Sequence, residues 1–419
     1  MTAMKTIASQ HDRPRSRRLR SLPYLLAAAG LVAGCNAAVV SPSPTTVAPP
    51  SPTPNASTEV TAAPSPTTGP SVAVLTGTFF STGSMATPRV TQTATLLADG
   101  RVLIAGGYDG STALASAELY DPASGRFSPT GSMTVARSGQ TATLLADGRV
   151  LIAGGDDGST ALASAELYDP ATGTFSPTGS MAQPHDGGTA TLLLDGEVLM
   201  AGGIDPASPE EQGFASAELY NPATGKFRRT GSLVQGRYDQ AATLLADGRV
   251  LVTGGAGRPA DLASAELYDP KTGRFAATGS MAQARYGPTA TLLSDGSVLV
   301  AGGWNDTTQT TLASAELFDP KTGQFTSTGA MAQARYDDTA TLLAEGRVLL
   351  VGGFGQAAVL ASAELYDPGT GEFSDAGSMA RGRDDHTATV LHDGSVLIAG
   401  GYVDANQQTP VASAEVWRP

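Results

Sequence analysis

A Gly-Gly pair recurs seven times at nearly equal spacing, at Gly106, Gly154, Gly202, Gly254, Gly302, Gly352 and Gly400, with gaps of 48, 48, 52, 48, 50 and 48 residues. A unit of that length is too short to bury a core alone. A repeat on this scale therefore predicts small β units that cover one another's faces. The text around each pair is shared. Thr141–Gly155 reads TATLLADGRVLIAGG, and Ala163–Gly173 reads ASAELYDPATG. The last copy stops at Val416-Trp417-Arg418-Pro419, which stands where Leu167-Tyr168-Asp169-Pro170 stands in the second. The TGTF that would follow is found at Thr76–Phe79. A repeat broken at one end and completed from the other predicts a closed ring.

One copy can be read strand by strand. Asp147-Gly148 lies between Thr143-Leu144-Leu145 and Arg149-Val150-Leu151-Ile152, a hairpin signal in which Gly takes the positive φ of a tight turn. The second strand ends at the Gly pair, where the chain turns sharply or approaches a neighbour. A third strand, Ala163 to Tyr168, stops at Asp169-Pro170, because proline cannot donate to a ladder. Thr172-Gly173 turns the chain into a fourth strand opened by Phe175. Stacking such four-stranded meanders radially covers both faces of each sheet, which predicts a β-propeller.

Each copy also carries a glutamate (Glu118, Glu166, Glu218, Glu266, Glu316, Glu364, Glu415), and six carry an arginine (Arg89, Arg137, Arg237, Arg285, Arg335, Arg383) that His185 replaces in the third. An acid repeated identically in every unit is expected to make a structural bond to that arginine rather than to catalyse.

The Gly pair, the later Tyr-Asp-Pro and the aromatic opening the outer strand resemble kelch repeats across residues 76–419. The resemblance implies an all-β, seven-bladed kelch-type propeller with four antiparallel strands per blade. Its last blade would be completed by the N-terminal strand around Phe79. The propeller of galactose oxidase is similar, but its copper site needs a Tyr crosslinked to Cys together with His ligands. The only cysteine here is Cys35, and past the leader histidine occurs only at His185, His386 and His392. That chemistry is not implied, and no cofactor or metal is expected.

The first 34 residues read as an export signal. Lys5, Arg13, Arg15, Arg17, Arg18 and Arg20 precede a short apolar run, Tyr24 to Ala33, too brief to span a bilayer. Val32-Ala33-Gly34-Cys35 resembles the lipobox of bacterial lipoproteins, which implies that Cys35 is lipidated and anchors the mature chain to the bacterial cell membrane. Residues 35–75, rich in Pro, Ser and Thr, read as a tether reaching about 120 Å if fully extended as polyproline. Beyond the leader, 20 basic residues face 38 acidic ones, a net charge of −18. Such a surface repels nucleic acid and anionic lipid. A monomer is expected.

Specific function is expected where the copies differ. One variable position follows each Gly pair and holds Tyr108, Asp156, Ile204, Ala256, Trp304, Phe354 and Tyr402. The other follows the recurrent arginine and includes Tyr238-Asp239, Tyr286, Tyr336-Asp337 and Asp384-Asp385-His386. Aromatic faces beside carboxylates suit sugars, whose C–H faces stack while their hydroxyls donate. The leading expectation is a tethered extracytoplasmic binding module for a glycan or protein. The alternatives are an extracellular carbohydrate-active enzyme (a hydrolase, lyase or epimerase) and a purely structural envelope protein. A blander assignment, in which these aromatics merely cover the blade tops, is equally open at this level.

Overall fold

Val102–Ala105 is apolar at every position, and so are its counterparts apart from Thr253. A strand wetted on one face alternates, so an unbroken apolar run needs cover on both. The computed structural model, which describes residues 77–205, 213–258 and 260–419, supplies that cover. Val102 and Ile104 pack with Leu391, Leu397 and Val416 on one side, whereas Leu103 and Ala105 meet Val150, Ile152 and Tyr168 on the other. Equivalent clusters fill all seven seams. Each such side chain, fully buried, contributes about 1.5–3 kcal/mol. The leader, Cys35 and the tether lie outside the described residues.

Seven four-stranded antiparallel sheets result. Six follow chain order, as in Thr93–Leu96, Val102–Ala105, Ala117–Asp121 and Arg126–Pro129. The seventh begins with Thr387–Val390, Val396–Ala399 and Ser413–Arg418. It ends with the N-terminal Thr78–Ser84, which pairs antiparallel to Ser413–Arg418 with Phe79 opposite Trp417. First strands touch first strands all the way round, so they line the axis and the ring is closed. A short ribbon, Trp304–Asn305 with Thr310–Thr311, rises from the fifth blade.

The Asp-Gly hairpin differs in detail from a two-residue turn. Gly100 N donates to Leu97 O and Leu97 N to Arg101 O, at 3.0 and 2.8 Å, and only the Gly has positive φ. This is a type I turn closed by a left-handed glycine, in which Asp99 accepts from Arg101 N.

The Gly pair joins the blades. Both of its residues have positive φ in every copy. The second donates its N–H to the backbone carbonyl of the Arg or His of the next blade at all seven seams, from Gly107 to Arg137 O through Gly401 to Arg89 O. A Cβ on Gly106 would lie 2.7 Å from Arg137 O, so the seam closes only around glycine.

The recurrent Arg and Glu meet as expected. In six blades Arg Nη2 lies 2.7–3.2 Å from Glu Oε1, with both side chains buried. Each of the seven glutamates also accepts a backbone N–H, as Glu118 does from Ala86. In six blades the carboxylate is thus held by scaffold on both counts.

Candidate functional site

The two variable positions lie side by side. In each blade the residue after the Gly pair forms an antiparallel bridge with the residue after the Arg or His: Val90 with Tyr108, Ser138 with Asp156, Asp186 with Ile204, Tyr238 with Ala256, Tyr286 with Trp304, Tyr336 with Phe354, and Asp384 with Tyr402. The backbone makes the pairing: Val90 N donates to Tyr108 O and Tyr108 N to Val90 O, at 3.0 and 2.9 Å. One layer around the top of the ring therefore holds every residue that sequence comparison between blades singles out.

Burial divides that layer in two. Asp156, Tyr238, Tyr286, Phe354, Tyr336 and Tyr402 are all buried, as is His386. Tyr238 and Tyr286 meet edge to face at 6.3 Å, and Trp304, Tyr336 and Phe354 continue the chain of rings at 5.9 and 5.6 Å. Tyr238, Tyr286, Ile204 and Ala256 form a small core of their own. These rings spend their faces on one another across blades four to six. Only Tyr108 and Trp304 among the aromatics remain half-buried.

The second group is a collar around the axis, two residues past each Arg or His: Thr91, Gly139, Gly187, Asp239, Gly287, Asp337 and Asp385. All seven have positive φ. Collar N–H groups donate to the collar carbonyl of the preceding blade, as in Thr91 to Asp385 O, Gly139 to Thr91 O, Asp239 to Gly187 O, Gly287 to Asp239 O and Asp385 to Asp337 O. Sequence reading missed the collar as a unit. Its signal was present: Gly or Asp at five or more copies of one position marks a left-handed backbone.

Three carboxylates, Asp239, Asp337 and Asp385, stand on this collar. Burial, reinforced by the negative charges of Asp384 and Asp239, pushes the Asp385 carboxyl up to about 8. Beside it, burial and the Arg383 cation push His386 down to about 3, so its ring is neutral at pH 7. His386 Nε2 lies 3.1 Å from Thr339 Oγ1, which ties the seventh blade to the sixth. Asp384 Oδ2 accepts from Gln407 Nε2 at 2.5 Å. The trio Asp384-Asp385-His386 thus splits into a buried brace, a collar acid and an interblade tie.

One residue further on, Gln92, Gln140 and Gln240 donate Nε2 to the carbonyls of Ala399, Ala105 and Ala201 in the preceding blades, at 2.9, 2.8 and 2.9 Å. Asp338 occupies this place in the sixth blade with both oxygens shielded from solvent and unpaired. Burial pushes its carboxyl up to about 7. Among the described residues no group of three or more His, Asp, Glu or Cys is arranged to hold a metal ion. The donor set of a copper oxidase, with its Tyr–Cys crosslink, does not fit these residues.

Three stretches, 90–134, 139–182 and 285–332, match the family model of the Kelch motif. No curated protein matches the chain. Among solved structures, the fold is similar to a fungal alcohol oxidase described as catalytically diverse within the AA5 family and solved with copper. The TM-score is 0.67 at 18% identity, covering 82% of this chain and 76% of that one. At that identity the likeness speaks for the fold alone. The protein is a seven-bladed β-propeller, three stretches of which match the Kelch motif.

Proposed function

We propose that the protein is a membrane-tethered, extracytoplasmic binding module that takes a glycan or protein ligand on the collar face of its propeller. One observation carries this reading. The residues that differ between blades share a single layer whose partly open members are two aromatics, Tyr108 and Trp304, and three carboxylates, Asp239, Asp337 and Asp385. Half-open rings next to hydroxyl-accepting acids are the elements of sugar recognition, in which C–H faces stack and hydroxyls donate. The buried rings of blades four to six hold that layer rigid. Attachment rests on Cys35 and on the tether that follows it.

The test is a glycan and peptide array probed with wild type, Trp304→Ala and Asp385→Asn. Asn keeps the left-handed backbone that Asp385 adopts and removes only the titrating group. Loss of about tenfold or more in affinity in either variant supports the reading. Undiminished binding in both moves the ligand to another face.

The near-neutral titration of Asp385 favours a second reading, in which the collar acid donates a proton to a bound sugar's leaving group. Turnover of an oligosaccharide panel that disappears in Asp385→Asn would support that enzyme; no turnover by wild type would retire it.

A further inference from the structure

Six blades bury an arginine guanidinium against a wall of acceptors, and the third builds the wall without the guanidinium. In the fourth blade Arg237 Nη1 donates to Gly254 O and Ser264 O at 2.8 and 3.0 Å. Its Nη2 donates to Ser264 Oγ and Glu266 Oε1 at 3.1 and 2.8 Å. The third blade presents the same four acceptors on Gly202, Ser216 and Glu218, but the facing residue is His185. The shorter imidazole reaches only the first: Nδ1 bonds to Gly202 O.

The rest of the wall lacks the guanidinium: Ser216 O accepts from Gly202 N, and Glu218 Oε1 accepts from the N–H groups of Ala182 and Gln183. Ser216 Oγ has no hydrogen-bond partner, and neither has His185 Nε2, although His185 is only 2% exposed. Nε2 stands 3.9 Å from Glu218 Oε1, beyond hydrogen-bond range. Because Nδ1 faces a carbonyl it carries a proton. A cavity of about 100 Å³ opens on the Ser216 and Glu218 side of the wall, lined also by Gln183, Arg229 and Thr230. Burial opposes charge on Glu218. The nearby His185 and the N–H groups of Ala182 and Gln183 nevertheless hold its carboxyl below the ordinary range. A buried carboxylate is thus kept ionised without the guanidinium that the other blades give it, an arrangement that a bound guanidinium would complete.

We propose that the third blade carries a binding site for a monosubstituted guanidinium group, from a small free ligand or from an arginine side chain of a peptide. Ser216 Oγ, Ser216 O and Glu218 Oε1 are all acceptors, and a guanidinium has only donors. The planar cation takes the place that the Arg side chain fills in cis elsewhere, with its substituent directed out of the mouth past Thr230. The site is separate from the collar and stands whether or not the collar binds a glycan. Arg229 is exposed at the mouth, where solvent and salt screen its charge.

Calorimetric titration of the full chain at pH 7 with methylguanidinium tests this, with urea and methylammonium as controls. One saturable site for methylguanidinium, about tenfold or more tighter than for either control, is the expected result. His185→Arg fills the slot in cis and should abolish binding. Ser216→Ala deletes one hydroxyl from a folded blade and should weaken binding about fivefold; it keeps the question answerable if the Arg variant fails to fold. A short arginine-containing peptide that competes would show that the mouth admits a chain, whereas binding of methylguanidinium alone restricts the site to free ligands. No saturable binding by wild type, or equal affinity in wild type and Ser216→Ala, overturns the proposal. Binding seen only in Arg229→Ala also overturns it, because the slot then belongs to Arg229.

Discussion

Asp338 shows what a carboxylate does at a position that holds glutamine in three other blades. A glutamine there donates an N–H to the preceding blade, and a carboxylate has nothing to donate. Burial raises its pKa from the ordinary value near 4 to about 7, so the folded state holds a proton that the unfolded chain has already released. Stability from this group is therefore intact below about pH 4, declines as pH rises toward 7, and levels off above that. Asp338→Gln should remove the decline and restore the interblade bond. Its Tm should gain on wild type as pH rises between about 4 and 7, as followed by thermal melts at several pH values. A constant difference across that range would refute the assignment.

The closing blade shows how an element compensates for a local exception. In five blades the Tyr of Tyr-Asp-Pro or Tyr-Asn-Pro meets a threonine hydroxyl of the preceding blade at 2.8–2.9 Å, as Tyr168 meets Thr130. The seventh blade has Trp417 instead, facing Ala376 where that threonine would stand. The larger indole fills the space, is fully buried, and donates Nε1–H to Ala376 O at 3.0 Å. Trp417→Tyr should lose packing and strand a hydroxyl. Adding Ala376→Thr should return part of the loss, with a coupling of about 0.5–3 kcal/mol in a denaturation double-mutant cycle. Additive effects would show that the two positions are independent. The N-terminal strand beside them matters more. Removing residues 77–84 uncovers Ser413–Arg418 and an apolar seam, so the variant should lose cooperative melting or aggregate. An unchanged melt would mean that the ring does not depend on that closure.

At the scale of the molecule, a stack of weak units becomes one body because each seam repeats the same Gly pair and apolar exchange, and five seams add a collar bond. The reading as a tethered module adds Cys35. Cys35→Ala should move the protein from the membrane to the soluble fraction, which cell fractionation checks; retention in the membrane would remove the lipid anchor from the proposal. Repetition is also why so much was legible in advance. Blade number, strand order, the completing strand at Phe79 and the Arg–Glu partnership of six blades are written in repeated local patterns whose physics needs only near neighbours. The collar, the burial of Tyr238, Tyr286, Tyr336, Phe354 and Tyr402, and the open acceptor wall at Ser216 were not. Sequence marked those aromatics by their variation between blades, and only packing showed that they face one another more than solvent. Period and chemistry along the chain therefore determine the ring. The tertiary structure alone decides which variable residues remain open at its top, because that depends on groups such as Thr91 and Asp385, far apart in sequence and joined at 3.2 Å only when seven blades converge on one axis.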